Sequence, residues 1–328
     1  KLLRSVSIIE KIKTKLFGKN MIKNFGIAKK SILVAILFVC IGLICFLDIN
    51  KVYTSNVPEK KEKSDNTIFS WISSISLPNK LDFCGERVPL EIPEVRERAE
   101  REFYLLLQQP GQLCLYLKRS GKYFPIYEKL LAENKMPDDI KYLSVAESAL
   151  YQSRSSKNAL GLWQFMQGTA KSYGLIVDKY VDERCNVKKS TVAALRYLKN
   201  GRESLGSWTL AAAGYNMGNA GVRRAMTRQN LSNYYDLFLN EETSRFVFRI
   251  IIIKELMKNS QRYGLNFNEK DLYSLGDVST RKVNGSIQDL ENWAVENKYL
   301  YKDIKLLNPW ILTNELPNGN WELLVPNK

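Results

Sequence analysis

The sequence predicts a mainly α-helical protein that has an apolar segment near its N-terminus and a small α+β extension at its C-terminus. Helix-start signals, with proline and acidic residues in the first turn, recur between about residues 90 and 265. A run of 17 residues without a charge, residues 31–47, follows a basic block. After about residue 279, two short strand patterns flank two short helical ones, which predicts a βααβ order.

The first 47 residues predict a membrane anchor. Residues 1–30 hold nine Lys or Arg and one Glu, a net charge of +8 out of +15 for the chain. Residues 31–47 are near the lower length limit for a membrane span. The flanking positive charges predict a basic cytoplasmic segment, a transmembrane signal-anchor at 31–47, and an extracytoplasmic remainder. A cleaved signal peptide is the alternative, although no small-x-small cleavage site follows the apolar run.

The rest of the chain divides into a linker, a helical domain and a tail. Residues 48–80 are largely polar and predict a tether, and the helical domain is expected over residues 81–270. Predicted helices begin at Pro93 and Met136, and others span residues 124–134, 190–200, 207–216 and 241–258. The tail, residues 279–328, is predicted as strand 280–283, helices 290–297 and 303–308, and strand 321–325, with Ser286 opening a capping box.

Histidine is absent from the chain. This excludes Ser-His-Asp and Cys-His catalysis and removes the commonest metal ligand. The five cysteines show no zinc-like spacing, and those beyond the apolar segment, Cys84, Cys114 and Cys185, allow at most one internal disulfide. The sequence therefore predicts no cofactor and no metal. Acid–base chemistry must come from Glu, Asp, Lys, Tyr or Cys.

Glu147 is a carboxylate on an otherwise apolar helix face. Residues spaced +3, +4 and +3 share that face: Ile140, Leu143, Glu147 and Leu150. A carboxylate there is costly unless it is paired or its pKa is raised. A carboxyl group with a raised pKa is what a general acid for glycosidic bond cleavage needs. We therefore predict that Glu147 is the catalytic residue.

Two further segments combine glycine with aromatic or polar side chains. Residues 161–166 begin with Gly161, which permits close backbone approach or a positive φ, and place Gln164 among apolar neighbours. Such a glutamine needs a hydrogen-bond partner, and a sugar amide would serve. Residues 208–218 place four small residues before Tyr215 and Asn216. Taken alone, the aromatic residues fit a core and the small residues fit tight helix packing, with Gly218 and Gly221 as helix-stop signals.

In this order the segments resemble the goose-lysozyme-like soluble lytic transglycosylase domain, and within it the membrane-bound murein transglycosylase D branch. The resemblance covers residues 147–148, 159–175, 181–184, 211–218 and 240–247, within about residues 82–265. The departures are Gln167 where the family usually has Pro, Ala213-Gly214 where Ala-Ala or Ala-Ser is common, and Phe246 where Tyr is frequent. None of these departures removes Glu147.

The resemblance implies a lysozyme-like helical fold and cleavage of the β-1,4 bond between N-acetylmuramic acid and N-acetylglucosamine, with formation of 1,6-anhydromuramic acid. Glu147 would act first as the acid and then as the base, and Tyr215 would orient or stabilise it. The substrate-binding residues expected from the resemblance are Ser148, Gln164, Phe165, Met166, Tyr215 and Asn216. The tail resembles a LysM-type glycan-binding module with poor glycine and aspartate signals, so we expect a degenerate LysM-like module or a packing extension.

Peptidoglycan strands and the membrane are the expected partners, on the periplasmic face of a bacterial inner membrane. Nucleic acid is not expected, because more than half of the excess charge lies in residues 1–30, where anionic lipid accounts for it. Two other functions stay open. A hydrolytic muramidase needs a second carboxylate, for which Asp178 and Asp182 are poorly placed in the sequence. A non-catalytic wall-binding scaffold would not need Glu147.

Overall fold

The computed structural model describes residue 72 and residues 74–327. The predicted basic segment, the apolar segment 31–47 and most of the predicted linker lie outside the described residues. Within the described part, no helix combines the length and the apolar character that crossing a bilayer requires. The described chain is mainly helical and has a small antiparallel sheet at its C-terminal end, which confirms the predicted helical class.

A short hairpin precedes the helices, and a second pair of strands encloses the last two. The hairpin consists of β1 (Asp82–Phe83) and β2 (Glu86–Arg87). The helices of the central region are α1 (Pro93–Leu107), α2 (Pro110–Glu133), α3 (Lys141–Ser148), α4 (Gln167–Ser172), α5 (Val187–Leu205), α6 (Trp208–Met217), α7 (Asn219–Gln229) and α8 (Glu241–Lys258). The C-terminal part contains β3 (Val278–Ile287), α9 (Leu290–Glu296), α10 (Tyr301–Leu307) and β4 (Leu316–Pro326).

Side-chain caps set the starts of the two helices whose bounds were predicted best, α6 and α8. The Ser207 hydroxyl accepts a hydrogen bond from the Leu210 amide at 3.1 Å, and the Asn240 side chain accepts one from the Thr243 amide at 2.9 Å. Each cap satisfies a backbone donor that has no partner inside the helix. Because caps are local signals, the sequence predicted these helices within about one residue.

The predicted start of the helix at residues 124–134 was wrong. This segment is the second half of α2, and Pro125 lies inside that helix, where it removes one backbone donor. Gly121, one turn earlier, lets the helix pass close to another segment, since a Cβ there would lie 2.5 Å from the Tyr273 carbonyl oxygen. The Tyr273 amide donates to the Lys118 carbonyl at 2.7 Å. This packing outweighs the loss of one hydrogen bond.

The expected helix stop at Gly221 was also wrong. Helix α6 does end at Met217, and Gly218 has a φ of +85°. The chain then starts α7 at once, and Gly221 lies inside that helix. A Cβ at Gly221 would lie 3.2 Å from the Met217 Cε atom, so the glycine permits the close turn between α6 and α7. The glycines therefore shape a turn between two helices that pack together.

The C-terminal part has the predicted βααβ order. Strands β3 and β4 pair antiparallel, with Val283 opposite Trp321. The predicted capping box at Ser286 was wrong, because Asp289 is the cap of α9. Its carboxylate accepts hydrogen bonds from the amides of Glu291 at 2.9 Å and Asn292 at 3.0 Å.

The C-terminal part shares one hydrophobic core with the helical region. The Asp182 amide donates to the Trp310 carbonyl, and the Leu312 amide donates to the Tyr180 carbonyl, both at 2.8 Å. One buried cluster contains Leu160, Val181 and Cys185 from the helical region together with Ile287, Leu290, Ala294, Ile304, Trp310, Ile311, Leu316, Trp321, Leu323 and Val325. Since Leu160 directly precedes residues 161–166, the C-terminal part supports that segment from behind.

Replacement of Trp310 by alanine should therefore destabilise the whole described unit. Trp310 is 3% exposed and stacks on Trp321, and removing such a side chain costs about 3–5 kcal/mol of unfolding free energy. We expect the thermal midpoint to fall by about 10 °C in a single transition, measured by calorimetry. Leu306→Ala, at a side chain that is 66% exposed, is the control and should change the midpoint little. Two separate transitions, of which only one shifts, would contradict the shared core.

Candidate active site

Glu147 lies in the last turn of α3, at a sharp change of chain direction. Ala149 and Leu150 both have a φ of +54°, a left-handed conformation that is strained for residues with a side chain. The Arg119 guanidinium donates to the Ala149 carbonyl at 2.9 Å and holds this turn. The prediction that Leu150 shares the helix face with Glu147 was wrong, because α3 ends at Ser148. Leu150 is buried, but through the turn and not on the helix.

The Glu147 side chain lines a cavity of about 420 Å³ beside α8. The cavity is bordered by the end of α3, the end of α6 and the first three turns of α8. Its lining residues are Ala146, Glu147, Asn216, Glu241, Glu242, Arg245, Phe246 and Arg249. Among the described residues, none makes a hydrogen bond or an ion pair with the Glu147 carboxyl. The carboxyl group therefore has its polar atoms available to a molecule in the cavity.

Burial raises the pKa of Glu147 to about 8. The negative charge of Glu242 raises this pKa as well, and the positive charge of Arg249 lowers it. Because burial is the largest of these effects, the carboxyl group is mostly protonated at neutral pH. A protonated carboxyl with a pKa close to the working pH is suited to donate a proton and later to take one back.

The wall formed by α8 carries charges of both signs. The Glu242 carboxylate accepts a hydrogen bond from the Asn216 amide at 3.3 Å and lies 3.7 Å from the Lys157 ammonium. Arg245 and Arg249 point their guanidinium groups at the buried Glu102, with N–O distances of 2.6 Å and 3.5 Å. Glu102 thus fixes the positions of the two arginines that face Glu147.

Residues 161–166 are attached to α3 by hydrogen bonds. The Ser148 hydroxyl donates to the Leu162 carbonyl at 2.8 Å, and the Ser144 hydroxyl donates to the same oxygen at 3.0 Å. The Trp163 indole N–H donates to the Thr191 hydroxyl on α5 at 2.9 Å. These bonds hold the segment beside the end of the helix that carries Glu147.

A buried ion pair supports the same segment from the other side. Arg184 and Asp182 are 2.6 Å apart and both side chains are 4% exposed. The Arg184 guanidinium also donates to the Phe165 carbonyl at 3.1 Å. Gly161 has a φ of +86°, and a Cβ there would lie 2.2 Å from the Arg184 carbonyl oxygen. The glycine is therefore required by both its conformation and this contact, as the sequence predicted.

The predicted substrate-binding residues fall into two groups. Asn216 lines the cavity with Glu147, and Met166 is 47% exposed. Ser148 and Phe165 are buried, which assigns them to the support of residues 161–166 and leaves little surface for a sugar. Gln164 finds its partners in the backbone and not in a ligand, since its amide donates to the carbonyls of Ser153 and Gly161 at 2.9 Å and 2.8 Å. Direct sugar contacts by these residues stay predictions.

Tyr215 is bonded to residues 161–166 and lies close enough to Glu147 to be influenced by its charge. Its hydroxyl donates to the Trp163 carbonyl at 2.8 Å, and its ring packs edge-to-face on Phe165. Burial raises the pKa of Tyr215 well above its ordinary value, and the charge of Glu147 raises it further. The hydroxyl therefore stays neutral, in the same electrostatic environment as the Glu147 carboxyl. Its expected role in orienting Glu147 stays a prediction.

The sequence did not lead us to predict that residues of α8 line the cavity of Glu147. Residues 240–247 were noted only for their resemblance, and Glu242, Arg245 and Arg249 were not nominated. Their spacing of +3 and +4 places them on one helix face, in the way that Ile140, Leu143 and Glu147 are placed. The sequence did contain a signal for this wall, because one face of an otherwise buried helix carries charges of both signs.

The described residues offer no site for a metal. Among them, no group of three or more Cys, Asp or Glu is arranged to hold a metal ion. Cys84, Cys114 and Cys185 are free thiols. Burial raises the pKa of Cys185 to about 12, so this thiol is not a reactive thiolate at neutral pH.

Comparison with known families assigns part of this cavity to a recognised domain. Residues 124–238 match the transglycosylase SLT domain, and residues 279–328 match the soluble lytic transglycosylase C-terminal LysM-like domain. The match confirms the resemblance, and it contains Glu147, residues 161–166 and Asn216. Helix α8 follows the matched residues, although it forms one wall of the cavity.

Two curated relatives, from Escherichia coli strains K12 and O6:H1, are both named membrane-bound lytic murein transglycosylase D. Each is 29% identical to this chain over 195 residues, which cover 58% of this chain and 43% of the relative. The matched region thus spans less than half the length of these relatives.

Replacement of Gly161 by alanine tests the support of the SLT domain's site. The added Cβ would clash with the Arg184 carbonyl, and alanine is strained at the positive φ of this position. We therefore expect a loss of about 2–4 kcal/mol of unfolding free energy. Gly168→Ala on α4 is the matched control, because a Cβ there meets nothing within 4 Å. It should be neutral or slightly stabilising. Equal unfolding midpoints in urea for the two variants would show that the contact at Gly161 is unimportant.

Proposed function

We propose that this protein is a peptidoglycan lytic transglycosylase that cleaves the β-1,4 bond between N-acetylmuramic acid and N-acetylglucosamine. The observation that carries the proposal is the half-buried Glu147 carboxyl, which has a pKa of about 8 and lines a cavity of the SLT domain. The glycan-cleaving activity follows from the family, and the assignment of the chemistry to Glu147 follows from its burial. Peptidoglycan strands are the proposed substrate.

The reaction needs one carboxyl group in two protonation states. Glu147 gives its proton to the glycosidic oxygen as the bond from that oxygen to C1 of muramic acid breaks. The N-acetyl group of the substrate stabilises the positive charge that develops at C1. The Glu147 carboxylate then takes the proton of the muramyl 6-hydroxyl, whose oxygen bonds to C1 and closes the 1,6-anhydro ring. No water is consumed, and Glu147 ends the cycle protonated.

The surroundings of Glu147 suit both halves of this cycle. Burial favours the neutral acid before the reaction, and the positive charge of Arg249 favours the carboxylate that forms in the middle of it. The anion is a strong base because burial makes its protonated form the more stable one. Tyr215 and Asn216 are the proposed positioning groups for the carboxyl, and Met166 is the proposed sugar contact.

We place the enzyme outside the cytoplasm, held to the membrane by residues 31–47. The support is the name of the relatives, which describes them as membrane-bound, and the basic block before the apolar run. The substrate agrees with this location, because peptidoglycan lies beyond the membrane. The LysM-like part is a proposed glycan contact that is rigidly joined to the SLT domain through the shared core.

Glu147→Gln tests the assignment. The variant keeps the shape of the side chain but has no proton to give, so we expect muropeptide release to fall by at least about a thousandfold. Mass spectrometry of digested peptidoglycan should show anhydromuramic ends with the wild type. Equal release by the wild type and the variant would show that Glu147 is not the catalyst, and release by neither would support a non-catalytic wall-binding scaffold.

The same variant should be more stable than the wild type at alkaline pH. The pKa of Glu147 is about 8 in the folded protein against an ordinary 4.5, so its contribution to stability is full below about pH 4.5 and is lost as the pH rises through about 8. Glutamine stays neutral at every pH. We expect a gain of about 3–5 kcal/mol in unfolding free energy at pH 9, and none at pH 4, from urea unfolding.

Hydrolysis is the second candidate reaction, and one observation favours it. Asp182 is committed to the buried pair with Arg184, Asp178 accepts backbone hydrogen bonds, and neither residue lines the cavity of Glu147. Glu242, however, lines the same cavity as Glu147 and is a second carboxylate of the kind that hydrolytic glycosidases use. Product analysis separates the reactions, because reducing muramic acid ends in place of anhydro ends would establish hydrolysis.

The pH dependence of the activity should follow the charges of the α8 wall. Because the acid form of Glu147 starts the reaction, kcat/KM should fall as the pH rises through about 8. Glu242→Gln removes a negative charge, so the pH at which kcat/KM falls should decrease by about half a unit. Arg249→Gln removes a positive charge, so this pH should increase by a similar amount. Glu203→Gln, outside the cavity, is the control. If the pH at which kcat/KM falls shifted in the same direction for both cavity variants, the assignment of this pH dependence to Glu147 would be contradicted.

A further inference from the structure

A second and larger cavity lies along α7. Its volume is about 1110 Å³, against about 420 Å³ for the cavity of Glu147. Its walls are the outer face of α7 and the segment that leads into α8. The lining residues are Met217, Asn219, Ala220, Gly221, Arg223, Arg224, Ala225, Thr227, Arg228, Phe238, Leu239 and Asn240. The arginine cavity, as we call it here, contains three arginines and no acidic residue among the described residues.

The three arginines have no partners in the described part of the chain. Arg223, Arg224 and Arg228 are exposed, and none of them makes a hydrogen bond or an ion pair with a described residue. The arginines of the neighbouring wall differ, since Arg245 and Arg249 are both paired with Glu102. A concave surface with three unpaired guanidinium groups fits a ligand that carries carboxylates or phosphates.

The side chain of Phe238 is exposed to solvent at the rim of the arginine cavity. Phe238 is 84% exposed, although its backbone is fixed to the end of α7. The Gln229 amide donates to the Phe238 carbonyl at 2.9 Å, and the Phe238 amide donates to the Gln229 side-chain oxygen at 2.8 Å. A large ring that is exposed on a fixed backbone suits contact with the apolar part of a ligand.

The arginine cavity adjoins the cavity of Glu147. Asn216 and Glu241 line the Glu147 cavity, and their immediate neighbours in the chain, Met217 and Asn240, line the arginine cavity. Two peptide bonds therefore connect the walls of the two cavities. The end of α6 and the start of α8 therefore contribute neighbouring residues to both cavities.

We propose that the arginine cavity binds the acidic peptide attached to the muramic acid of the strand being cleaved. The inference rests on the proposed function, because it takes the glycan in the Glu147 cavity as given. The peptide hangs from the lactyl group of muramic acid and carries free carboxylates, which the guanidinium groups would bind. Its alkyl groups would pack on Phe238. The enzyme would then prefer strands that carry peptides over bare glycan.

The test compares two variants of equal charge on two substrates, with the full chain in detergent. One variant replaces Arg223, Arg224 and Arg228 by glutamine. The control replaces Arg196, Lys199 and Lys270, which are exposed and do not line the arginine cavity. The substrates are peptidoglycan strands with peptides and the same strands after an amidase has removed them. The measurement is kcat/KM for the release of products.

The arginine variant should lose about tenfold in kcat/KM on strands with peptides and less than about twofold on bare strands. The control variant should change neither value by more than about twofold. Equal losses by both variants would assign the effect to net charge and overturn the proposal. The proposal would also be overturned if the arginine variant lost kcat/KM equally on both substrates, or if it lost none.

Direct binding separates this proposal from the proposed function. The probe is the free tripeptide L-alanyl-D-glutamyl-diaminopimelate, titrated into Glu147→Gln protein and followed by NMR, with inorganic phosphate as the comparison anion. We expect about tenfold weaker tripeptide binding when the three arginines are replaced. Unchanged tripeptide binding would overturn the proposal even if the wild type cleaves peptidoglycan. Specific tripeptide binding by a chain that cleaves no strands would overturn only the catalytic function.

Discussion

The removal of water from the Glu147 carboxyl is the condition on which the proposed chemistry depends. In water a glutamic acid is ionised at neutral pH and has no proton to give. Burial at the end of α3 raises the pKa of Glu147 to about 8, and the charges of Glu242 and Arg249 adjust that value in opposite directions. The rest of the described structure is arranged around this one partly buried group.

The support of Glu147 extends well beyond its own helix. Residues 161–166 are held to α3 by Ser148, to α5 by Trp163, and to the buried pair of Asp182 and Arg184. Removing one partner of such a pair leaves a buried charge without compensation, so each partner depends on the other. The backbone of Asp182 is in turn bonded to the C-terminal part. The LysM-like part is therefore continuous with the support of the site and is not a separately tethered module.

The arginines near the site divide by the way their charge is compensated. Arg184, Arg245 and Arg249 are paired with carboxylates inside the protein, and they fix the shape of the site. The arginines of α7 have no such partners among the described residues, and their charge faces the arginine cavity. The paired arginines stabilise the fold around the site. The unpaired arginines are suited to bind a ligand, since only they gain strongly from an external anion. This division makes α7 the wall that distinguishes a peptide-bearing strand from a bare one.

The sequence by itself determined the helical class, the resemblance to the transglycosylase SLT domain, and the choice of Glu147 as the candidate carboxyl. Glu147 on an apolar helix face, the absence of histidine, and the caps of α6 and α8 are local patterns that are visible within a few turns of helix. Only the tertiary structure decided which groups face Glu147, because the α8 wall lies about a hundred residues away along the chain. It also decided that Gln164 bonds to backbone, that Leu150 lies beyond a strained turn, and that α2 continues through Pro125. Those outcomes depend on packing between distant segments, which no local pattern encodes.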